Sequence, residues 1–285
     1  MPAIDLQDNL LRRIPPVLRA RDFRLYTKGG KRLLDLWQSG GAAALGHTPA
    51  GVLRELKNTA ERGLFTAFPH PMENRFAKAL SRLFPGALFR VYGDEASLRQ
   101  ALAAAGHTLD AGAAFPDPAA PRASPGGAES PTLWRPFLDD DEPPSPSKPE
   151  EAALLIPILP WALAPKVLVI PESFEPAHAY PPSDILSPVI LAAGTRSIYN
   201  LLAAGPMRGK VQFPKIRQAL AHSPWRRRGI YLHYSDPLDD ESYAALFLRF
   251  LGEGFLLPPN RNLPLILPGI VSPGEEAKLA RLIGS

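Results

Sequence analysis

A loop that joins a short strand to a helix carries residue types suited to binding an anion. The strand ends at Tyr92, and the helical stretch opens with Gly93, Asp94, Glu95 and Ala96. Backbone amides in the first turn of a helix point outward with partial positive charge, so they bind phosphate groups. The loop is therefore a candidate phosphate site. Asp94 favours a second interpretation, because its carboxylate repels a phosphate but makes a good N-cap for a helix that holds no ligand.

A second group of ionisable side chains follows a short apolar strand in the C-terminal half. Glu172, Glu175 and His178 come just after the run KVLVIP. Ligands of open α/β sheets bind beyond the carboxyl ends of strands, so these side chains form a second candidate site. A solvated loop is the simpler interpretation.

Other chemical motifs are absent from the sequence. The six histidines lack His-x-x-x-His spacing, and the single Glu-x-x-His contains Pro176, so we expect no metal site. Gly-x-Ser-x-Gly, Gly-x-Gly-x-x-Gly and P-loop patterns do not occur. The chain has no cysteine, which excludes disulfides, cysteine-bound zinc, iron–sulfur clusters and thiol catalysis.

Charge and hydropathy exclude two classes of partner. The formal net charge is +4, and the basic residues are spread along the chain apart from Arg226, Arg227 and Arg228. A nucleic-acid-binding protein concentrates positive charge on one patch. No apolar run reaches the roughly 18 residues of a membrane-spanning helix, and the N-terminus lacks the apolar core of a signal peptide. We therefore expect a cytoplasmic protein that binds neither nucleic acid nor membrane.

The pattern of elements places these residues in an α/β fold. Hydrophobic spacing predicts, in chain order, a hairpin over 24–36, helices over 50–62, 73–84 and 95–105, buried parallel strands at ALLIPILP and KVLVIPES, one or two helices over 183–203, a short helix over 215–221, a strand over 229–234, a helix over 240–251 and a short strand over 265–267. Ser272 and Glu275 form a capping box that opens a last helix. Alternating strands and helices favour a sheet covered on both faces.

One stretch departs from this pattern. The chain contains 34 prolines, and residues 107–150 are rich in Pro, Ala, Gly and Ser. Such a composition lacks apolar faces for packing, so we predict a flexible insert. Within it, Leu133, Trp134, Phe137 and Leu138 form a candidate docking patch.

The order of the motifs resembles that of class III aminotransferases, which are pyridoxal-phosphate (PLP) enzymes of the glutamate-1-semialdehyde aminomutase type. The block LYTKGGKRLLDLWQSGGAAALGHTPAGVLRELKNTAERGLF resembles the family's hairpin ending in Leu-Asp, Gly-rich turn, Gly-His and helix, with Asp35, Gly40, Gly41, Gly46 and His47 in that order. The stretch ENRFAKALSRLFPGALFRVYGDEASLRQALAAAG resembles the family's helix, strand and phosphate loop. The tail FLGEGFLLPPNRNLPLILPGIVSPGEEAKLARLI resembles its small domain.

The resemblance implies a PLP-dependent-transferase fold: a large domain with a mostly parallel sheet, reduced in the middle, and a small α/β domain from both termini. We expect residues 1–50 to contribute to the small domain and the interface, 51–225 to form the large domain, and 226–285 to complete the small domain. The family's subunit interface includes the Gly-rich segment that follows Asp35 here, so the resemblance also implies a homodimer.

The resemblance further implies a Schiff-base lysine, which this chain lacks at the matching position. In the family that lysine follows a segment that residues 182–186 resemble, and a gapless reading from there places Ile190 where the lysine belongs. No lysine occurs between Lys166 and Lys210. Without an amine no covalent link to PLP forms. Lys210 and Lys215 are the displaced substitutes to consider.

The phosphate loop of the family is matched only in part. Gly93, Glu95 and Ala96 agree with it, whereas Tyr92 and Asp94 replace its two hydroxyl residues.

The family's pyridine carboxylate is also missing. Pro171 takes its position, and Glu172 aligns with the family's second acid. The stacking aromatic residue of the family belongs in the Pro/Ala-rich stretch, where the chain is cut down.

Three functional hypotheses follow. The first is a degenerate aminotransferase-like protein (a pseudoenzyme) that needs no cofactor and acts as a scaffold, a partner of another protein or a ligand-binding module. The second is an active PLP-dependent aminotransferase or aminomutase with a displaced lysine. The third is unrelated chemistry in the old cleft beside Glu172.

Overall fold

A computed structural model describes residues 5–109, 113–120, 131–138, 154–172, 179–208 and 211–285. Glu175, His178 and Lys210, which the sequence analysis named, lie outside these residues, as do the side chains of 206–208.

The described chain folds into eight α-helices and eleven strands. The helices are α1 (Leu6–Arg13), α2 (Val52–Ala60), α3 (Met72–Leu83), α4 (Glu95–Ala104), α5 (Pro188–Arg208), α6 (Pro214–Leu220), α7 (Asp240–Gly252) and α8 (Pro273–Ile283). The strands are β1 (Val17–Arg21), β2 (Arg24–Thr27), β3 (Arg32–Asp35), β4 (Ala87–Tyr92), β5 (Thr132–Trp134), β6 (Leu155–Pro157), β7 (Lys166–Pro171), β8 (Trp225–Arg228), β9 (Tyr231–Tyr234), β10 (Phe255–Leu256) and β11 (Leu265–Ile266). The α/β fold class is confirmed.

The sheet that carries the candidate phosphate loop has the strand order β4-β7-β6-β5. β4 pairs antiparallel with β7, β7 pairs antiparallel with β6, and β6 pairs parallel with β5. Three strands therefore share one direction and β7 runs against them. The prediction that KVLVIPES forms a parallel strand is wrong, because this run is the reversed strand between two neighbours.

Both faces of this sheet are covered, as alternation of side chains along β7 requires. Val167 and Val169 pack with Phe76 of α3 and Ile198 of α5. On the other face, Leu168 and Ile170 pack with Leu98 and Leu102 of α4. Of the six residues of β7, five are buried and only Lys166 is half-buried.

A single helix, α5, covers the stretch where the sequence predicts one or two. Pro188 is its first residue, a position where proline loses no hydrogen bond, so it starts the helix instead of interrupting it. The run Ala192–Ala193–Gly194 is helical as well. Gly194 allows close packing here, because a Cβ would come within 2.8 Å of the Phe76 ring.

The two ends of the chain share one apolar core. β10, near the C-terminus, pairs parallel with β3 near the N-terminus, and β11 pairs with β9 in a second small sheet. Leu10 and Ile283 belong to the same buried cluster. The predicted capping box is confirmed at α8, where Ser272 and Glu275 exchange hydrogen bonds. The domain limits remain predictions, and the one at 225/226 falls within β8.

Candidate functional site at the edge of the sheet

The loop after β4 begins a capped helix. The Asp94 carboxylate accepts a hydrogen bond from the Ser97 N–H at 2.8 Å, and this bond lowers the pKa of Asp94. The residue before it, Gly93, donates its N–H to Oδ2 of Asp184 at 2.8 Å. Two carboxylates of the chain therefore bind backbone amides here. Asp184 binds the N–H of Gly93, which precedes Asp94, and Asp94 binds the N–H of Ser97, which follows it.

Residues 183 and 184 are fixed to the end of β4 by further hydrogen bonds. The Val91 N–H donates to the Ser183 hydroxyl at 3.0 Å, and the Asp184 N–H donates to the Val91 carbonyl at 2.9 Å. Asp184 is exposed, yet two hydrogen bonds of its own and one of the adjacent Ser183 fix its position against β4 and the loop. Sequence reasoning missed this role because Asp184 and Gly93 lie 91 residues apart.

The neighbouring strands β5 and β6 end at the same edge, and a buried ion pair lies there. Arg135, which follows β5, is 1% exposed. Its guanidinium donates to both carboxylate oxygens of Asp117 at 2.7 and 2.6 Å and to the Gly40 carbonyl at 2.7 Å. Burial alone lowers the pKa of Arg135, but the hydrogen bonds and charge of Asp117 outweigh it and raise the pKa.

A strained segment covers this edge. Residues 38–41 all have positive φ, between 49° and 115°. Asp35 holds them in place, because its carboxylate accepts from the Gln38 N–H at 2.9 Å and contacts the His47 ring at 2.8 Å. A Cβ on Gly41 would approach Arg135 and Ile158 at 3.2 Å. The segment therefore packs tightly over the ends of β5 and β6.

Glu172 lies at the opposite end of the β4–β7 pair. The register joins Tyr92 with Lys166 and Ala87 with Pro171, so Gly93 and Glu172 lie beyond opposite ends of the pair, roughly 24 Å apart along the strands. Glu172 is exposed, and its N–H donates to the Gly86 carbonyl. The structure does not bring the predicted acid and the predicted phosphate loop together. The reversal of β7 is the reason.

The positions considered for a lysine also lie in different places. Ile190 is half-buried in the first turn of α5. Lys215 is exposed on α6, and its N–H donates to Glu276 of α8 at 2.8 Å. Lys166, which sequence reasoning did not consider, is half-buried and lies opposite Tyr92, next to the loop. Only a pairing register, which the sequence does not show, could have identified it.

Comparison with known proteins decides what this architecture is. No family model matches the sequence. An omega-transaminase from Sphaerobacter thermophilus superimposes over 99% of this chain and 96% of its own, with a TM-score of 0.59 and 14% identity. A beta-phenylalanine aminotransferase from Variovorax paradoxus gives a TM-score of 0.62 at 14% identity, over 97% and 91% of the two chains. The chain has the aminotransferase fold.

Sequence comparison agrees with the aminotransferase fold over a shorter stretch. A glutamate-1-semialdehyde 2,1-aminomutase of Thermus thermophilus is 38% identical over 72 residues, which are 25% of this chain and 17% of that protein. A protein of Treponema pallidum described as uncharacterized is 28% identical over 92% of both chains. The resemblance to class III aminotransferases is confirmed at the level of the fold.

The residues of this aminotransferase fold do not fit PLP at the loop. The phosphate of that cofactor is an anion, and the Gly93 N–H that would bind it already binds a carboxylate. Asp94 adds a second carboxylate beside it. Two carboxylates beside the N-terminus of α4 repel a phosphate group, and one of them, Asp184, occupies the amide donor that would bind it.

The described residues contain no group of three or more histidine, aspartate or glutamate side chains placed to hold a metal ion. None of the helices described is long and apolar enough to cross a membrane.

Proposed function

We propose that this protein has the aminotransferase fold without PLP-dependent activity, and that it acts by binding. One observation carries the proposal: the Gly93 N–H, at the start of the loop that would hold a phosphate, donates to the Asp184 carboxylate at 2.8 Å. The internal carboxylate takes the place of an external anion. The sequence supports the same conclusion, because Ile190 stands where the resemblance places the lysine.

A charge comparison supports this reading of the loop. A phosphate group near Gly93 would displace Asp184 or lie within a few ångströms of it. Two like unit charges about 4 Å apart repel by roughly 4 kcal/mol near a protein surface, which exceeds the value of one amide hydrogen bond. Asp94 would add to that repulsion, because its own hydrogen bond to Ser97 keeps it ionised.

The competing function is an active PLP enzyme with a displaced lysine. The observation in its favour is the position of Lys166, which is half-buried and opposite Tyr92 at the edge of the sheet. Lys215 is exposed and contacts α8 through its backbone, which gives it no such position. The experiment therefore includes Lys166.

The experiment adds PLP to the purified full-length protein, reduces it with borohydride and maps pyridoxylated peptides by mass spectrometry. We expect only the scattered, substoichiometric labelling that exposed lysines such as Lys57 also show. A stoichiometric adduct on Lys166, Lys210 or Lys215, lost when that lysine is changed to arginine, would overturn the proposal. A Lys57→Arg variant is the matched control.

We further propose that the protein is a cytoplasmic homodimer. We also propose that it binds a different protein as a second partner. Exposed apolar side chains on and after α2 support an interface, namely Leu53, Phe65 and Phe68. The lack of cysteine fits a reducing compartment.

Light scattering tests the homodimer. Wild type should have twice the chain mass of 31.0 kDa, and a Phe65→Asp/Phe68→Asp variant should have the mass of one chain. A monomeric wild type would contradict it.

A further inference from the structure

An open cavity of about 750 Å³ lies beside β5, away from the loop at Gly93. Residues 114–120 form one wall, and β8, β9 and the start of α7 form the others together with the loop at 260–263. Sites for small molecules commonly have volumes of roughly 300–1,000 Å³. Asp117 is the residue that this cavity shares with the ion pair described above.

Aromatic side chains in the wall are held by contacts within the protein. The Arg99 guanidinium lies 4.3 Å from the centre of the Phe115 ring. Trp225 packs edge-on against Tyr234, with ring centres 4.8 Å apart. The Tyr243 hydroxyl donates to the Pro258 carbonyl at 2.6 Å. These rings are therefore positioned before any ligand arrives, which lowers the entropic cost of binding.

His233 lines the wall, and its two ring nitrogens differ in their surroundings. Its Nδ1 is shielded from solvent and has no hydrogen-bond partner within the described part of the chain. Burial, together with the charge of Arg226, lowers the pKa of His233, so the ring is neutral near pH 7. Buried polar atoms in folded proteins nearly always have partners. Because Nδ1 is enclosed by protein, Nε2 is the ring nitrogen that remains to contact a molecule in the cavity, and in a neutral imidazole it donates or accepts one hydrogen bond.

The charged side chains that line the cavity are paired within the protein. Asp117 binds Arg135, and Asp239 caps α7. Arg261 contacts Asp240 at 3.2 Å. A charged ligand would have to compete with these partners, whereas a neutral one leaves them intact.

We propose that this cavity binds a neutral, planar heteroaromatic molecule, with the rings of Phe115 and Tyr234 against its body and His233 as its hydrogen-bonding partner. The proposal goes beyond the proposed loss of PLP chemistry and does not depend on it, because the cavity and the loop at Gly93 share no residue.

The test uses adenine as the neutral planar probe, benzoate as a charged planar probe and cyclohexanol as a neutral non-planar probe. Saturation-transfer NMR and calorimetry measure their binding to the full-length wild type, to His233→Leu and to His222→Leu. His222 is exposed and does not line the cavity, so it is the matched control. We expect adenine to bind wild type most tightly, His233→Leu to weaken it about tenfold, and His222→Leu to leave it unchanged.

A second variant keeps the test decisive if His233→Leu does not fold. Leu263 lies half-buried in the cavity wall, and Leu263→Trp should fill the space and abolish adenine binding. Failure of adenine to bind wild type would overturn the proposal, as would equal affinity in wild type and Leu263→Trp. Tighter binding of benzoate or cyclohexanol than of adenine would overturn the assignment of a neutral planar ligand.

Discussion

The edge of the sheet near Gly93 and the cavity beside His233 use their polar groups in opposite ways. At the edge, Asp184 binds the Gly93 N–H, and Asp117 binds the buried Arg135. In the cavity, the Nδ1 of His233 has no partner among the described residues. The first region has the position of a cofactor site in the resemblance but is closed by the chain's own carboxylates. The second region has no counterpart in the resemblance but keeps space and an unpaired polar atom.

This contrast teaches that the fold and the site of binding are separate properties of the chain. In this aminotransferase fold the Gly93 amide and the buried Arg135 are both bound by carboxylates of the chain itself. Predictions that remove the internal pairs test whether the edge is closed for the reason given. Four changes follow, from the largest expected effect to the smallest: two remove carboxylates at the edge, one crowds the segment that covers it, and one alters an ion pair elsewhere for comparison.

The largest effect is expected from opening the ion pair at the edge. Asp117→Ala leaves the guanidinium of Arg135, which is 1% exposed, without its carboxylate. Breaking one partner of a buried pair costs about 3–5 kcal/mol, and we expect that loss in the free energy of unfolding measured in urea. The double change Asp117→Leu/Arg135→Met should cost less than the single one.

The matched control for this pair is Glu95→Gln, since Glu95 and Arg99 form a more exposed ion pair on α4. Its cost should stay below about 1 kcal/mol. Equal costs for the two single changes would show that the pair at the edge is not what closes it.

The strained segment above the edge should be the next most sensitive. Gly41→Ala places a Cβ at a φ of 115° and 3.2 Å from Arg135 and Ile158. Both the strain and the crowding destabilise the fold, so we expect a loss of about 2–3 kcal/mol by thermal unfolding. Gly29→Ala is the control, because nothing lies within 4 Å of its Cβ. A loss in Gly41→Ala no greater than in the control would contradict the tight cover.

The ion pair of Arg24 and Glu275 joins β2 to α8 and is less buried than the pair of Asp117 and Arg135. It shows how much such a pair contributes to the free energy of unfolding. Burial alone raises the pKa of Glu275, but hydrogen bonds from Arg24 and Ser272 outweigh it and lower the pKa from 4.5 to about 2. Because the pKa is lower in the folded state, the stabilisation is complete above about pH 5. It is lost as the pH falls from 4.5 to 2.

Solvent screening reduces this contribution to about 1–2 kcal/mol. Glu275→Gln should therefore lose less stability than wild type when urea unfolding is measured between pH 5 and pH 2. Glu241→Gln, at an exposed carboxylate of α7, should keep the wild-type slope. Parallel curves for Glu275→Gln and wild type would rule out the lowered pKa.

The smallest change in stability, but the sharpest test of the closed loop, comes from Asp184→Ala. Loss of the exposed carboxylate frees the Gly93 N–H at a cost of about 0.5–1 kcal/mol. Inorganic phosphate should then raise the unfolding midpoint of Asp184→Ala but not that of wild type. Asp236→Ala, at another exposed aspartate, should respond as wild type does. A phosphate response already present in wild type would show that the loop is open.

Local features of the site could be predicted from the sequence. The capped start of α4 at Asp94 and the capping box at Ser272 and Glu275 follow from residues three positions apart, whose hydrogen bonds form within a single turn. The poor match of Tyr92 and Asp94 to a phosphate loop follows from residue type alone, because both replace hydroxyl residues of the family's loop. The resemblance also predicted the fold, because the order of elements is a property of the sequence.

The tertiary structure alone decided which distant residues meet. Asp184 reaches Gly93 across 91 positions, and Arg135 reaches Gly40 across 95. The reversed direction of β7 separates Glu172 from Gly93 and places Lys166 beside the loop. Periodicity and residue type report how a segment folds against its neighbours in the chain. Strand direction, pairing register and the cavity beside His233 depend instead on packing between distant segments, which those local patterns do not encode.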